Sequence, residues 1–302
     1  MIISKERKKP VTLVVLEILD KRMKLSPEQK LILYTQRKGY EGEVSFDTQL
    51  QKLDKDFILL NDLLLTINGT TCQVDTMVLT AGKVFSFEIK NYAGDYYVDK
   101  ENRLFTLAGK EVLNPIIQLK RTETLLRQVL AQEIPQMDIA SYVIFIHPTF
   151  TLYQAPLNEP MIFPTQVASF LQSFLDNPTV TNAERTLAKK LVSMHQTDNP
   201  FYNRPDYTYE CLRKGIYCDA CGSYKRTYRR SFSICSSCHH KECNAQIVLK
   251  ACKNYKILFP DQKLKTDASY RWCDRQISKR TIRRIIKANY KQIGTTSATH
   301  YH

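Results

Sequence analysis

The stretch TCQVDTMVLTAGKVFSFEIKNY, residues 71–92, decides how the chain is read. Its two halves, TCQVDTMVLT (71–80) and VFSFEIKNY (84–92), are rich in β-branched and aromatic residues and predict strands. Ala81-Gly82 between them predicts a turn, hence a hairpin that brings Asp75 close to Glu88. Glu88 and Lys90 stand two residues apart, so they point to the same face of an otherwise apolar strand. A solvated edge with an ion pair of small energetic worth is one explanation. A site for metal-assisted phosphodiester hydrolysis is the other. Two carboxylates on adjacent strands supply hard oxygen ligands for Mg²⁺, and a neighbouring Lys orients water and stabilises developing charge. Asp75 favours the second explanation, because a buried unpaired carboxylate is costly.

The flanking sequence predicts a mixed α/β domain. Ser26-Pro27-Glu28 reads as a helix start, and KLILYTQRKGYEGEVSFDTQLQKL as one helix or two around Gly39 and Gly42. FILLNDLLLTI (57–67) reads as a strand or a bent pair, and DYYVD (95–99) and RLFTL (103–107) as further strands of a mainly antiparallel meander. Asn114-Pro115 opens a helix whose apolar side carries Leu125, Leu126, Val129 and Leu130. SYVIFIHP (141–148) is a buried-strand type of run, and two more helices are expected near 164–176 and 181–195.

Four motifs then occur in order over residues 39–121. KGYEGEVSFDTQL resembles the G-x-x-G-E helix opening of the NERD (nuclease-related domain) family, within the PD-(D/E)xK nuclease superfamily. QVDTMVL is similar to that family's strand with the acidic ligand, FSFEIKNYAGDY to its E-x-K-N…G strand, and NPIIQLKR to its N-P-x-x-Q helix. The resemblance implies a restriction-endonuclease-like mixed sheet flanked by helices. It implies that Asp75 and Glu88 bind Mg²⁺ or Mn²⁺ and that Lys90 orients the attacking water or contacts phosphate. Glu43 is then a further ligand, direct or through water, and Gln118 holds a water or a phosphate oxygen. Asn91, Gly94 and Asn114 shape turns. Taken singly, Glu43 reads equally well as a helix-surface charge and Gln118 as a surface amide.

The 302 residues carry a net charge of +14, and the excess is segregated. Residues 201–302 hold 21 Lys and Arg against 7 Asp and Glu, whereas residues 1–200 hold 23 of each. A neutral body with a basic final third points to an anionic polymer, most simply nucleic acid, with DNA favoured over RNA. No apolar run reaches membrane-spanning length. VTLVVLEIL (11–19) is short and contains Glu17, and no membrane partner is expected. The basic start MIISKERKKP leads into no cleavage pattern, and the clustered cysteines suit metal binding in a reducing cytoplasm of bacterial type.

Cys218, Cys221, Cys235 and Cys238 are spaced C-x₂-C, thirteen residues, C-x₂-C, a pattern for a closed structural Zn²⁺ site. His239, His240 or Cys243 can replace Cys238 in that reading. Cys72, Cys211, Cys252 and Cys273 read as small buried apolar residues. Between the knuckles, Lys225, Arg226, Arg229 and Arg230 alternate with Tyr224, Tyr228 and Phe232, which suits phosphate contact and base stacking or a small aromatic core. The tail predicts a helix over 267–273 and a second, capped by Ser278, over 278–290. Ile282, Ile285, Ile286 and Tyr290 form the apolar stripe of the second helix, and Lys279, Arg280, Arg283, Arg284 and Lys287 cover the rest. The pair resembles a helix-turn-helix, with a basic amphipathic helix on a membrane or protein partner as the alternative.

Three domains are expected: 1–200 nuclease-related, 201–260 zinc-binding and 261–302 helix-turn-helix-like, with a linker at 198–210 and a frayed end, TTSATHYH. The function expected is a Mg²⁺- or Mn²⁺-dependent nuclease, possible as a homodimer. The alternatives are a non-catalytic nucleic-acid-binding regulator and a zinc module whose basic tail meets an acidic protein.

Overall fold

The structure is a computed structural model describing residues 1–174, 179–197, 205–295 and 299–302. Most of the expected linker, 198–204, lies outside the described residues. In chain order the first elements are β1 (Ile2–Lys5), α1 (Val11–Arg22), α2 (Pro27–Gln51), β2 (Ile58–Ile67), β3 (Thr70–Thr80) and β4 (Lys83–Lys90). They are followed by β5 (Asp95–Val98), β6 (Leu104–Thr106), β7 (Glu111–Val112), α3 (Pro115–Glu133), β8 (Asp138–Phe145), β9 (Thr151–Tyr153) and β10 (Met161–Ile162). Then come α4 (Val167–Phe174), α5 (Asn182–Met194), β11 (Arg226–Tyr228), β12 (Phe232–Cys235) and β13 (Lys241–Cys243). The chain closes with α6 (Asn244–Leu258), α7 (Thr266–Trp272), α8 (Lys279–Asn289), β14 (Gln292–Ile293) and β15 (His300–Tyr301).

Two compact units result. The first is Met1–Pro10 with Tyr34–Tyr202, and the second is Val11–Leu33 with Asn203–His302. Residues 11–33 were expected in the first domain. They group with the second because α1 packs on α6, and because Arg22 is buried there. Its guanidinium lies 4.0 Å over the Trp272 ring and donates to the Arg213 carbonyl at 2.8 Å.

The first unit is a six-stranded mixed sheet in the order β1-β2-β3-β4-β8-β10, with helices on both faces. The hairpin forms as expected: β3 and β4 are antiparallel, with Leu79 opposite Val84. Its two-residue turn puts Ala81 at φ +49° and Gly82 at φ +73°, the left-handed pair such a turn needs. The sheet is less antiparallel than the sequence suggested. β1–β2, β4–β8 and β8–β10 are parallel, while β5 and β6 leave the meander for a separate four-stranded sheet, β7-β6-β5-β9. On one face Leu125, Leu126, Val129 and Leu130 of α3 and Leu187 and Leu191 of α5 pack with Leu60, Met77 and Val84. On the other face Phe46 and Leu50 of α2 and Val167 and Leu171 of α4 pack with Leu59, Val78, Phe87 and Ile144.

Two alternatives left open by the sequence are decided, and one expectation is corrected. Residues 58–67 form one strand, not a bent pair, and the irregularity is a left-handed residue at Asp62, φ +54°, opposite Asp75. α2 is one helix through Gly39 and Gly42, opened by Ser26 and Gln29, whose side chains bond each other's backbone N–H at 3.1 and 3.0 Å. The end was expected to be frayed, but its described residues 299–302 are held in place. His300–Tyr301 pairs with Gln292–Ile293, Tyr301 N–H donates to the Leu264 carbonyl at 2.9 Å, and the Tyr301 ring is buried.

The second unit holds a three-stranded sheet, β11-β12-β13, and helices α6 to α8. α6 was not anticipated, although Ile247, Val248, Ala251, Cys252, Tyr255 and Leu258 form its buried stripe at helical spacing. Trp272 anchors it, donating from Nε1 to the Ala251 carbonyl at 3.0 Å. No described helix is long and apolar enough to cross a membrane.

Candidate metal and nucleic-acid sites

The ladder between β3 and β4 is regular up to Thr76 opposite Phe87. One residue further on, Asp75 turns its carboxylate into the gap, and Oδ2 accepts the Ile89 N–H at 2.9 Å. Beside it, Glu88 Oε1 meets Lys90 Nζ at 2.6 Å, so the two same-face residues are an ion pair. Lys90 Nζ also donates to Gln118 Oε1, at 3.3 Å, in the first turn of α3. Asn114 caps that helix, its side chain accepting the Ile116 N–H at 3.1 Å, and so fixes where Gln118 projects. Asn91 donates to the Lys38 carbonyl at 2.7 Å and Gly94 adopts φ +85°, consistent with turn-shaping roles.

The two carboxylates on the strands are almost dry, while Lys90 and Gln118 are half-buried. Asp75 is 7% exposed and Glu88 3%. Burial first, then the Asp75 carboxylate, pushes Glu88 up to about 8 against the pull of Lys90. Glu43 is likewise pushed up to about 8, by burial and then by Asp75. Burial raises Asp75 too. Burial disfavours the Lys90 ammonium, but Glu88 and then Asp75 outweigh it and raise its pKa. Asp75 is thus the common neighbour in these shifts: it acts on Glu43, Glu88 and Lys90, and Gln118 meets Lys90 by a hydrogen bond. Burial first, and the Asp75 carboxylate second, raise Glu43 and Glu88, a cost of charge that a divalent cation would relieve. Carboxylate oxygens are of the hard donor type that divalent cations take.

Sequence reasoning missed the residue that ties Glu43 in. Arg7, just after β1, donates from Nη1 to Glu43 Oε2 at 2.6 Å. It grips Asp47 through Nε at 2.7 Å and Nη2 at 3.0 Å. Nη2 also reaches the Asp75 carbonyl at 2.8 Å and Thr76 Oγ1 at 2.7 Å. In the sequence Arg7 is one cation among several in SKERKKP, with nothing to distinguish it. The spacing of Glu43 and Asp47, four apart on a helix, was the available signal for a shared partner.

In the second unit, the Sγ atoms of Cys218, Cys221, Cys235 and Cys238 all lie within 4.8 Å of one another. Cys218–Cys238 and Cys221–Cys235 are 3.6 and 3.5 Å apart. A tetrahedral ion with Zn–S bonds of about 2.3 Å separates its sulfurs by about 3.8 Å, so the group can hold zinc. Among the described residues no other set of three or more His, Cys, Asp or Glu converges this closely, the carboxylates of the first unit included. Cys238, rather than His239, His240 or Cys243, completes the group. Cys72, Cys252 and Cys273 are buried, whereas Cys211 is exposed, its thiol bonded to the Thr208 backbone.

The basic residues divide. Lys225, Arg229, Arg230, Arg280, Arg283, Arg284 and Lys287 are exposed. Lys279 is exposed but paired with Asp267 at 2.5 Å. Arg226 is not available as a phosphate contact. Its side chain is fully buried, 2.7 Å from Glu242 and bonded to Ser233 Oγ at 2.9 Å, because β12 carries Ser233 beneath it. Tyr224 and Tyr228 are also committed internally, through hydroxyls on the Lys21 carbonyl (2.9 Å) and Gln276 (2.5 Å). Ser278 caps α8, accepting the Thr281 N–H at 3.2 Å, and Ile282, Ile285 and Ile286 are buried beneath the basic face.

The comparison with curated proteins and the comparison with solved structures each found no match. Residues 38–146, the segment bearing Glu43, Asp75, Glu88, Lys90 and Gln118, match the family model of the nuclease-related domain, NERD, so that this part of the chain is nuclease-like, with the divalent metal and nucleic-acid substrate such a domain implies.

Proposed function

We propose that the first unit hydrolyses phosphodiester bonds in nucleic acid, DNA above RNA, and that the basic second unit holds the substrate. The observation that carries this reading is the chain Glu88–Lys90–Gln118 beside Asp75, four side chains from three elements around two buried carboxylates. Asp75 and Glu88 would hold Mg²⁺ or Mn²⁺, which supplies Lewis-acid activation of water and of a phosphoryl oxygen. Lys90 keeps its charge in spite of burial, and so offers an ammonium where negative charge develops on the phosphate. Gln118 accepts from Lys90 through Oε1, which leaves its amide N–H₂ free to donate to a phosphate oxygen or a water. Glu43, one oxygen of which is taken by Arg7, keeps Oε1 to accept from a water on the same side.

The zinc group would shape the second unit, and the exposed Arg280, Arg283, Arg284 and Lys287 would contact phosphates. The test is a panel of labelled single- and double-stranded DNA and RNA with Mg²⁺ or Mn²⁺, against no added metal. Metal-dependent cleavage of one substrate class is expected. Binding without cleavage under every metal condition would replace this reading with that of a nucleic-acid-binding regulator on a vestigial nuclease fold.

A further inference from the structure

We infer that Arg7 is a positioning residue of the carboxylate site: it locks α2 onto β3 so that Glu43 presents one fixed oxygen beside Asp75. The inference rests on the metal-site reading above and extends it to a residue outside the family-matched segment 38–146.

The geometry separates two tasks within one guanidinium. Toward Asp47 the contact is two-pronged, Nε to Oδ2 at 2.7 Å and Nη2 to Oδ1 at 3.0 Å, which fixes the plane of the group. Toward β3, Nη2 reaches the Asp75 carbonyl at 2.8 Å and Thr76 Oγ1 at 2.7 Å, so the same plane is referenced to the strand bearing the acidic ligand. Only Nη1 is left, and it takes Glu43 Oε2 at 2.6 Å. Oε1 of Glu43 makes no hydrogen bond among the described residues. The Arg7 side chain is 4% exposed, which removes the solvent screening that weakens surface pairs. A lysine has the charge, but its three donors radiate from one nitrogen, and it cannot span a two-pronged carboxylate, a second carboxylate and a strand carbonyl. Arg7→Lys therefore separates geometry from charge.

The experiment measures Mn²⁺ binding by electron paramagnetic resonance on the full chain with its zinc group loaded, in parallel with cleavage. Wild type is compared with Arg7→Lys, Arg7→Gln, Glu43→Gln and the double variant Arg7→Gln/Glu43→Gln, with thermal melts reporting folding. Arg7→Lys and Arg7→Gln should each weaken Mn²⁺ binding about tenfold or more, the usual cost of losing a group that orients a ligand. In the Glu43→Gln background, Arg7→Gln should cost nothing further, because Arg7 acts through Glu43.

Wild-type affinity in Arg7→Lys would overturn the inference, since charge alone then suffices. An equal loss in the Glu43→Gln background would overturn it too, since Arg7 would then be a structural residue. If wild type binds Mn²⁺ in this pattern but cuts nothing, the nuclease reading fails and the role of Arg7 stands. If wild type binds no Mn²⁺ at this site, both fall.

Discussion

Burial first and the Asp75 carboxylate second push Glu43 and Glu88 up to about 8, against the pull of Arg7 on the one and Lys90 on the other. In an unfolded chain both would release their protons near the ordinary glutamate value. Between those limits the native state binds more protons than the unfolded one, so this contribution to stability is full at low pH and is lost as pH rises toward about 8. A divalent ion at Asp75 and Glu88 competes with those protons and compensates the charge that appears when they leave. Added Mg²⁺ or Mn²⁺ is therefore expected to raise the melting temperature more at about pH 8 than at about pH 6. The increment should vanish in Glu88→Gln. An equal increment at both pH values, or one that survives in Glu88→Gln, would place the ion elsewhere. At this scale the sequence carried a good deal. Glu88 and Lys90 could be paired by strand periodicity, and Asp75 brought to them by the Ala81-Gly82 turn. Arg7 could not, because its partners are 36 to 69 residues away and its neighbours in sequence are all charged.

Two glycines in α2 look alike in sequence and differ in the fold. A Cβ on Gly42 would lie 2.6 Å from Asn91 Cβ and 3.2 Å from Ile146 Cγ2, whereas one on Gly39 meets nothing within 4 Å. Gly42 is thus where α2 comes closest to the ends of β4 and β8, one residue before Glu43. Gly39→Ala should stabilise the protein by about 0.5–1 kcal/mol, the helix-propensity difference. Gly42→Ala should destabilise it by about 1–3 kcal/mol, the usual cost of overpacking, and should lower activity by moving Glu43. Urea unfolding of both variants checks the pair, and equal effects would contradict the close approach. Element boundaries followed the same logic. Caps at Ser26, Asn114 and Ser278 were legible because a capping side chain acts locally. The parallel pairing of β1 with β2 and the removal of β5 and β6 to a second sheet were not, because pairing partners far apart in sequence leave no local trace.

For the whole molecule, charge segregation was the clearest message of the sequence, and it locates the exposed basic face of α8 in the second unit. Substituting Gln for Arg280, Arg283, Arg284 and Lys287 together should weaken nucleic-acid binding alike across sequences. If all four sit on phosphates, the slope of log affinity against log salt should fall by about 3 to 4. An unchanged slope would move the contact to Lys225, Arg229 and Arg230. The division of the chain was only half legible: residues 11–33 read as part of the N-terminal body, and it is the aromatic setting of Arg22, built by Tyr217 and Trp272, that assigns them to the second unit. The central claim concerns Glu88 and Lys90 in FSFEIKNY. Its most direct test is metal-dependent cleavage by wild type beside Glu88→Ala and Lys90→Ala, each shown folded by its melting curve. Cleavage abolished in both folded variants is the expected result. Cleavage at wild-type rate in either one would contradict the assignment of that pair to the chemistry.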